Sequence, residues 1–234
     1  MSKRTDLVIL LGPPGAGKGS LAGLCINALG WKQLSTGNLC RKHIAEQTEI
    51  GKQIDFAIKS GKLVSDSLVT GAVEEWLESS IEGAAAVILD GFPRTVPQAR
   101  SLNELLKKKE DSLRLKVIRL FVSDDIVIAR LCNRYICSNI ECQAVYSLGE
   151  GSKLLPKVTM TCDQCGHPLI RRKDDNEESV KERLKIYHKH EQDLLNFYTD
   201  MQHHIAEFNV ERPLQDLFED FKKTVLNNDG LKSS

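Results

Sequence analysis

The stretch Gly12-Pro-Pro-Gly-Ala-Gly-Lys-Gly-Ser20 constrains this chain more than any other, because it follows directly on the apolar run Leu7-Val-Ile-Leu-Leu11. A short run that is apolar throughout fits a strand buried on both faces of a parallel sheet. A glycine-rich turn leading from such a strand into a helix offers backbone N–H groups to an anion, and the helix N-terminus adds its positive dipole. Lys18 supplies a mobile positive charge. Together these features predict a phosphate cradle. The Walker pattern puts Ser or Thr directly after the lysine; here Gly19 intervenes and Ser20 follows. A dinucleotide-binding turn needs a glycine where Ser20 stands and has no use for Lys18.

The rest of the chain alternates strand-like and helix-like segments. Ala85–Leu89 and Leu115–Val122 are further apolar runs, with weaker strand signals at Trp31–Ser35 and Ala206–Val210. Helical stretches are expected after Gly17, over Ser67–Ile81 and from Ser123, an N-cap residue followed by two aspartates. The longest helix starts at Asp175-Asn-Glu-Glu178, which resembles a capping box. Val180, Leu184, Tyr187, Leu194, Tyr198, Met201 and Ile205 then recur at steps of three, four or seven. Such alternation predicts an α/β three-layer sandwich with a parallel sheet and right-handed crossovers. Two regions interrupt it. Residues 38–64 read as two or three short helices with no strand between them, and residues 135–170, with four cysteines, read as a small module of their own. The charged stretch Lys107–Arg114 reads as a solvated helix end and turn, and the polar tail Asn227–Ser234 as frayed.

Composition excludes several classes. With 41% hydrophobic and 27% charged residues the 234-residue chain is globular in character, not disordered or fibrous. Its 32 basic and 32 acidic side chains cancel, which argues against nucleic-acid binding through a basic surface. No run approaches the roughly 18 apolar residues of a membrane helix, and Leu7–Leu11 is too short for a signal-peptide core. The expected compartment is the cytoplasm.

The loop from Gly12 to Ser20, with its extra glycine, resembles that of the nucleoside monophosphate kinases. Ser35-Thr-Gly-Asn-Leu-Cys-Arg41, Gly61-Lys-Leu-Val64, Asp90-Gly-Phe-Pro-Arg-Thr-Val-Pro-Gln98 and Arg172-Lys-Asp-Asp175 are similar to further blocks of that family, in family order. The resemblance runs from about residue 7 to about residue 195 and is to adenylate kinases of the long-lid type. It implies a P-loop fold with a parallel five-stranded sheet and two inserted mobile segments. The core would comprise 1–35, 65–134 and 172–234, with an AMP-binding insertion at 36–64 and a zinc-binding lid at 135–171. The implied partners are ATP, AMP and ADP, with no nucleic acid and no membrane, acting on a monomer. The implied reaction is Mg·ATP + AMP ⇌ 2 ADP. A kinase of another monophosphate, or a nucleic-acid-binding zinc-module protein, is the alternative.

Phosphoryl transfer leaves a protein little covalent chemistry, so catalysis must come from positioning and charge neutralisation. The resemblance implies that Gly15, Ala16, Gly17, Lys18, Gly19 and Ser20 hold the ATP phosphates, with Lys18 on the transferring group. Ser20 and Asp90 would hold Mg2+ through water. The AMP side would comprise Thr36, Arg41, Lys62, Leu63, Val64, Gly91, Phe92, Pro93, Arg94 and Gln98. Arg41 and Arg94 suit the AMP phosphate, since the guanidinium fork matches it. Gln98 can pair both the donor and the acceptor edge of adenine. Arg130 and Arg134, four apart, would share one helix face toward the ATP phosphates. Arg172 and Arg183 would reach the transferring phosphate and the AMP side. Val145, Tyr146 and Arg212 match positions that contact the ATP adenine. Two departures stand out. Asn38 replaces an aspartate near the metal's water shell, and the usual glycine-containing turn before Arg212-Pro213 is missing.

Cys137-x4-Cys142 and Cys162-x2-Cys165 are two close pairs separated by a loop, as in a structural tetrahedral zinc site. Free thiols, disulfides, or His167 in place of one cysteine are the alternatives, and disulfides are disfavoured in a cytosolic enzyme. Cys25, Cys40 and Cys132 read as small buried residues. His188, His190, His203 and His204 read as surface or partly buried histidines.

Overall fold

A computed structural model describes residues 4–59, 64–109, 112–149, 152 and 154–226. The elements in chain order are β1 (Thr5–Leu11), α1 (Lys18–Leu29), β2 (Lys32–Ser35), α2 (Thr36–Ala45), α3 (Glu49–Lys59), α4 (Asp66–Ser80), β3 (Ala86–Asp90), α5 (Val96–Lys108), β4 (Leu113–Phe121), α6 (Asp124–Cys132), β5 (Arg134–Cys137), β6 (Val145–Ser147), β7 (Leu169–Ile170), α7 (Glu177–Asp200), β8 (Ile205–Asn209) and α8 (Leu214–Leu226). They form two units. One takes in the described residues of 1–12, 18–121 and 190–234, the other residues 13–17 and 122–189. Among the described residues no helix is long and apolar enough to cross a membrane.

In the first unit the five expected strands form one parallel sheet in the order β2-β3-β1-β4-β8. Leu7, Ile9 and Leu11 of β1 point to the face covered by Val73 and Leu77 of α4, Leu102 and Leu105 of α5, and Leu194 and Tyr198 of α7. Val8 and Leu10 point the other way and are also buried, so β1 shows no alternation. The opposite face is reached by α8, as a charged residue shows. Lys116 pairs in register with Val8 and is only 3% exposed. Its ammonium lies 2.8 Å from Asp6 Oδ2 and donates to the carbonyl of Val225 near the end of α8. A cation there meets the negative end of the helix. Asp6 also accepts from Arg114 Nε at 2.7 Å. Trp31 packs edge-on against Phe221 of α8, with ring centroids 6.1 Å apart.

Some boundaries differ from the sequence expectations. β4 begins at Leu113, not Leu115, and Arg114 is a strand residue rather than part of a solvated turn, because Asp6 on the neighbouring strand supplies its counter-charge. α7 ends at Asp200, so Met201 lies in a turn and Ile205 opens β8. The helical spacing of those two is coincidental, and sheet pairing of Ile205 with Val117 decides the matter. Asn176, not Asp175, caps α7: its Oδ1 accepts from the Ser179 N–H at 2.9 Å. The expected helices of 38–64 are α2 and α3, joined at Thr48, whose Oγ1 accepts from the Gly51 N–H at 3.0 Å and lies 2.9 Å from His43 Nδ1. Gly51 sits against α2 so closely that a Cβ there would lie 1.9 Å from the His43 carbonyl oxygen. The tail 227–234 lies outside the described residues.

In the second unit, Val127 and Leu131 of α6 pack on Val180 and Leu184 of α7. A three-stranded antiparallel sheet, β6-β5-β7, carries a separate cluster of Cys137, Tyr146, Cys162 and Leu169. Cys25 is buried as expected, whereas Cys40 and Cys132 are only half-buried, since the helical faces that carry them are not fully covered.

Candidate active site

The turn after β1 makes a sharp reversal that only glycine tolerates. Gly12 has φ +148°, and a Cβ there would lie 2.5 Å from the Leu120 carbonyl oxygen of the neighbouring strand. Lys18 opens α1, and its Nζ donates back to the Gly12 carbonyl at 2.8 Å. Residues 13–17 are tied by the Ala16 N–H to the Pro13 carbonyl at 3.2 Å, and Gly15 rests on Leu131 and Val127 of α6.

At the carboxyl ends of the neighbouring strands, Ser35 of β2 pairs with Asp90 of β3. The Asp90 carboxylate accepts from Gln33 Nε2 at 3.3 Å, and a Cβ on Gly19 would come within 3.4 Å of its Oδ2. The carboxylate therefore sits beside the first turn of α1, next to Ser20. Buried Thr36 donates to the Asp90 carbonyl at 3.3 Å. Arg41 Nη2 donates to Asn38 Oδ1, so the asparagine found at the expected aspartate position orients an arginine. Arg94 is exposed, and its Nε donates to the Gly91 carbonyl at 2.8 Å. Burial raises the Cys40 thiol pKa, while the Arg94 and Arg41 guanidiniums oppose that shift. Phe92 and Gln98 are buried beneath this surface. Val64 is half-buried, and Lys62 and Leu63 lie outside the described residues.

The second unit holds the other arginines. Arg130 and Arg134 do not share a helix face: α6 stops at Cys132 with Asn133 as its C-cap, and Arg134 opens β5. What orients Arg134 is Asp175, fully buried, which takes a bidentate fork from its Nε at 2.7 Å and Nη2 at 2.6 Å. Arg183 Nη1 lies 3.4 Å from the same carboxylate and 3.0 Å from Asp174 Oδ2, and Arg171 Nη2 donates to the Asp175 carbonyl at 3.1 Å. Asp175 is a hub for arginines that sequence reasoning took for part of a helix cap. The signal available is the acidic pair that closes the block Arg172-Lys-Asp-Asp175. Arg172 is half-buried. His188, read as a surface histidine, is half-exposed and lies 2.9 Å from Asp124. In the first unit Arg212 pairs with Asp220 at 2.7 Å.

The four cysteines 137, 142, 162 and 165 come together, all Sγ atoms lying within 4.8 Å of one another. Cys137 and Cys165 are 3.3 Å apart and Cys142 and Cys162 are 3.7 Å apart, far beyond a bonded disulfide of about 2.0 Å. Four thiolates at about 2.3 Å from a tetrahedral ion would be separated by about 3.8 Å, so the set could hold a metal. His167 stands outside it, Nδ1 3.2 Å from the Cys165 carbonyl. Tyr146, expected at the ATP adenine, has its hydroxyl 3.5 Å from Cys162 Sγ and accepting from the Asp163 N–H at 2.7 Å, which leaves its proton for the sulfur. Burial disfavours a Cys162 thiolate. The Tyr146 bond and the backbone N–H groups of Gln164 and Cys165 outweigh burial and bring that thiol down to about 6. Val145, beside it, is exposed.

Comparison with known proteins agrees with this chemistry. The adenylate kinase family model matches residues 10–203. The adenylate kinase of Thermosipho melanesiensis is 40% identical over 191 residues, covering 82% of this chain and 86% of its own. That of Rhizobium rhizogenes is 42% identical over 192 residues, with the same coverage of 82% and 86%. That of Methanothrix thermoacetophila is 34% identical over 218 residues, or 93% of this chain and 97% of its own. With its phosphate loop, parallel sheet and arginine-rich chemistry, the chain belongs to the adenylate kinase family of nucleoside monophosphate phosphotransferases.

Proposed function

We propose that the chain interconverts Mg·ATP and AMP with two ADP by direct in-line transfer, without a phosphoenzyme. The observation that carries the reading is Lys18 at the start of α1, bonded back to the Gly12 carbonyl, in a chain of this family. Gly15 to Ser20 bind the ATP phosphates through backbone N–H groups and the α1 terminus. Lys18, Arg94, Arg130, Arg134, Arg172 and Arg183 balance the charge of the transferring group. No side chain needs to act as a nucleophile. Arg41 and Arg94 take the AMP phosphate, Thr36, Val64 and Gly91 to Pro93 flank the nucleoside, and Gln98 meets its base. Val145, Tyr146 and Arg212 serve the ATP adenine. Segments 36–64 and 135–171 serve as the AMP-binding insertion and the lid.

Ser20 and Asp90 offer hard oxygen donors at the start of α1 and suit a magnesium ion held through its waters, which neutralises phosphate charge. The four-thiolate set, with Tyr146 hydrogen-bonded to one sulfur, suits a closed structural zinc site that holds residues 135–171 in shape. The protein acts as a cytoplasmic monomer without nucleic acid.

A panel of AMP, GMP, CMP and UMP with ATP, followed by coupled detection of ADP, tests the reading. AMP should be strongly preferred, and Arg94→Ala should abolish nearly all transfer. No preference for AMP would remove the substrate assignment. An Arg94→Ala protein as active as the wild type would remove the site.

A further inference from the structure

The buried side chain of Gln98 is held at both ends. Its Oε1 accepts from the Arg94 backbone N–H at 2.8 Å, and its Nε2 donates to Asp66 Oδ1 at 2.7 Å. Asp66, in the first turn of α4, is itself fixed: the Thr95 hydroxyl, at the N-cap of α5, donates to its Oδ2 at 2.8 Å. The polarity of this arrangement cannot be exchanged. A backbone N–H only donates and a carboxylate only accepts. Turning the carboxamide over would put Oε1 against the Asp66 carboxylate and the Nε2 hydrogens against the Arg94 N–H, losing two hydrogen bonds and creating two repulsions. Each amide atom uses one of its two hydrogen-bonding positions here, which leaves one donor and one acceptor for a ligand.

That fixed polarity has a consequence for base selection. Adenine presents a 6-amino donor beside the N1 acceptor. Hypoxanthine and guanine present a 6-oxo acceptor beside an N1–H donor, which is the inverted pattern. A glutamine free to turn over would match either purine and select neither. A glutamine held in one orientation matches one and leaves unpaired polar groups against the other. We propose that Asp66 is a positioning residue for base specificity, locking the Gln98 carboxamide in the orientation that accepts the adenine edge and rejects the 6-oxopurine edge. The proposal rests on the reading that Gln98 meets the base of the monophosphate. The Arg94 N–H forms the other half of the lock, and Thr95 keeps the Asp66 carboxylate from rotating away.

The test compares kcat/KM for AMP and for inosine monophosphate, which differ at the 6-position and N1 alone, with ATP as donor. Asp66→Asn keeps the shape but offers either an oxygen or an amino group to Gln98. Gln98 thereby loses its charged, acceptor-only partner, so the AMP-to-IMP ratio should fall by about tenfold or more, through the KM for the monophosphate. Loss of helix stability alone would lower both substrates together and leave the ratio where it was. A ratio within about twofold of wild type in folded D66N would overturn the lock. If D66N does not fold, Thr95→Val, which frees the carboxylate to rotate, must lower the ratio by at least about twofold, and an unchanged ratio overturns the proposal equally. Gln98→Leu separates the two claims. If Q98L keeps the wild-type ratio, Gln98 does not read the base; if Q98L collapses it and D66N does not, Gln98 reads the base without the lock.

Discussion

Asp175→Asn should loosen the second unit from within. The carboxylate is fully buried and accepts two short bonds from Arg134, whose side chain is 15% exposed, and a longer one from Arg183, which is 31% exposed. Asparagine has nearly the same shape, but one of its two terminal atoms becomes a donor facing a donor. Breaking a buried pair by removing one charge costs about 3–5 kcal/mol. Water can reach both guanidiniums in part, so about 2–3 kcal/mol is expected here. Hydrogen exchange read by mass spectrometry suits the question, because it reports the opening of local segments. The protected amides of Val127 in α6 and Val180 in α7, bonded to Ser123 and Asn176, are the reporters. Their exchange should quicken by about 30- to 150-fold. The neighbouring substitution Asp174→Asn is the control: that carboxylate is 55% exposed, and its pair with Arg183 is worth at most about 1 kcal/mol. Acceleration below about threefold in D175N, or an equal effect of the two substitutions, would refute the view that Asp175 anchors these arginines. Activity should fall as well, since Arg134 and Arg183 would lose their common partner.

Other outcomes are equally specific. Freshly purified protein should contain one zinc equivalent per chain, and chelation or Cys162→Ser should lower the melting temperature; substoichiometric metal with unchanged melting would remove the structural metal. Gly51→Ala should destabilise by about 1–3 kcal/mol, because its Cβ would lie 1.9 Å from the His43 carbonyl and no side-chain rotation relieves a backbone clash. Gly71→Ala, with open space around it inside α4, should be neutral or stabilising by up to about 1 kcal/mol. Calorimetric melting of the two variants checks both signs.

Local signals carried much of the molecule. Three apolar runs and two weaker signals located the five strands of the parallel sheet, and the glycine-rich loop with Lys18 pointed to phosphate chemistry, because burial of the inner strands and a strand–turn–helix connection each leave a contiguous pattern. The cysteine pairs were legible for the same reason: their spacing within each pair is short, and their four sulfurs do meet. The resemblance to family blocks implies roles for arginines that no isolated arginine would suggest.

What the tertiary structure alone decided is which charges belong to one another. Lys116 lies inside the run read as apolar, and only the sheet and α8 together bring it Asp6 and the Val225 carbonyl. Arg134 sits four residues after Arg130, yet the end of α6 separates them, and its true partner is 41 positions away at Asp175. Asp66 and Gln98 are 32 positions apart and meet because α4 and α5 start side by side. Sequence periodicity reports which face of an element is apolar, a property of neighbours along the chain. A buried ion pair or a fixed amide depends on two segments arriving at the same place with opposite polarity, and only the folded chain brings them there.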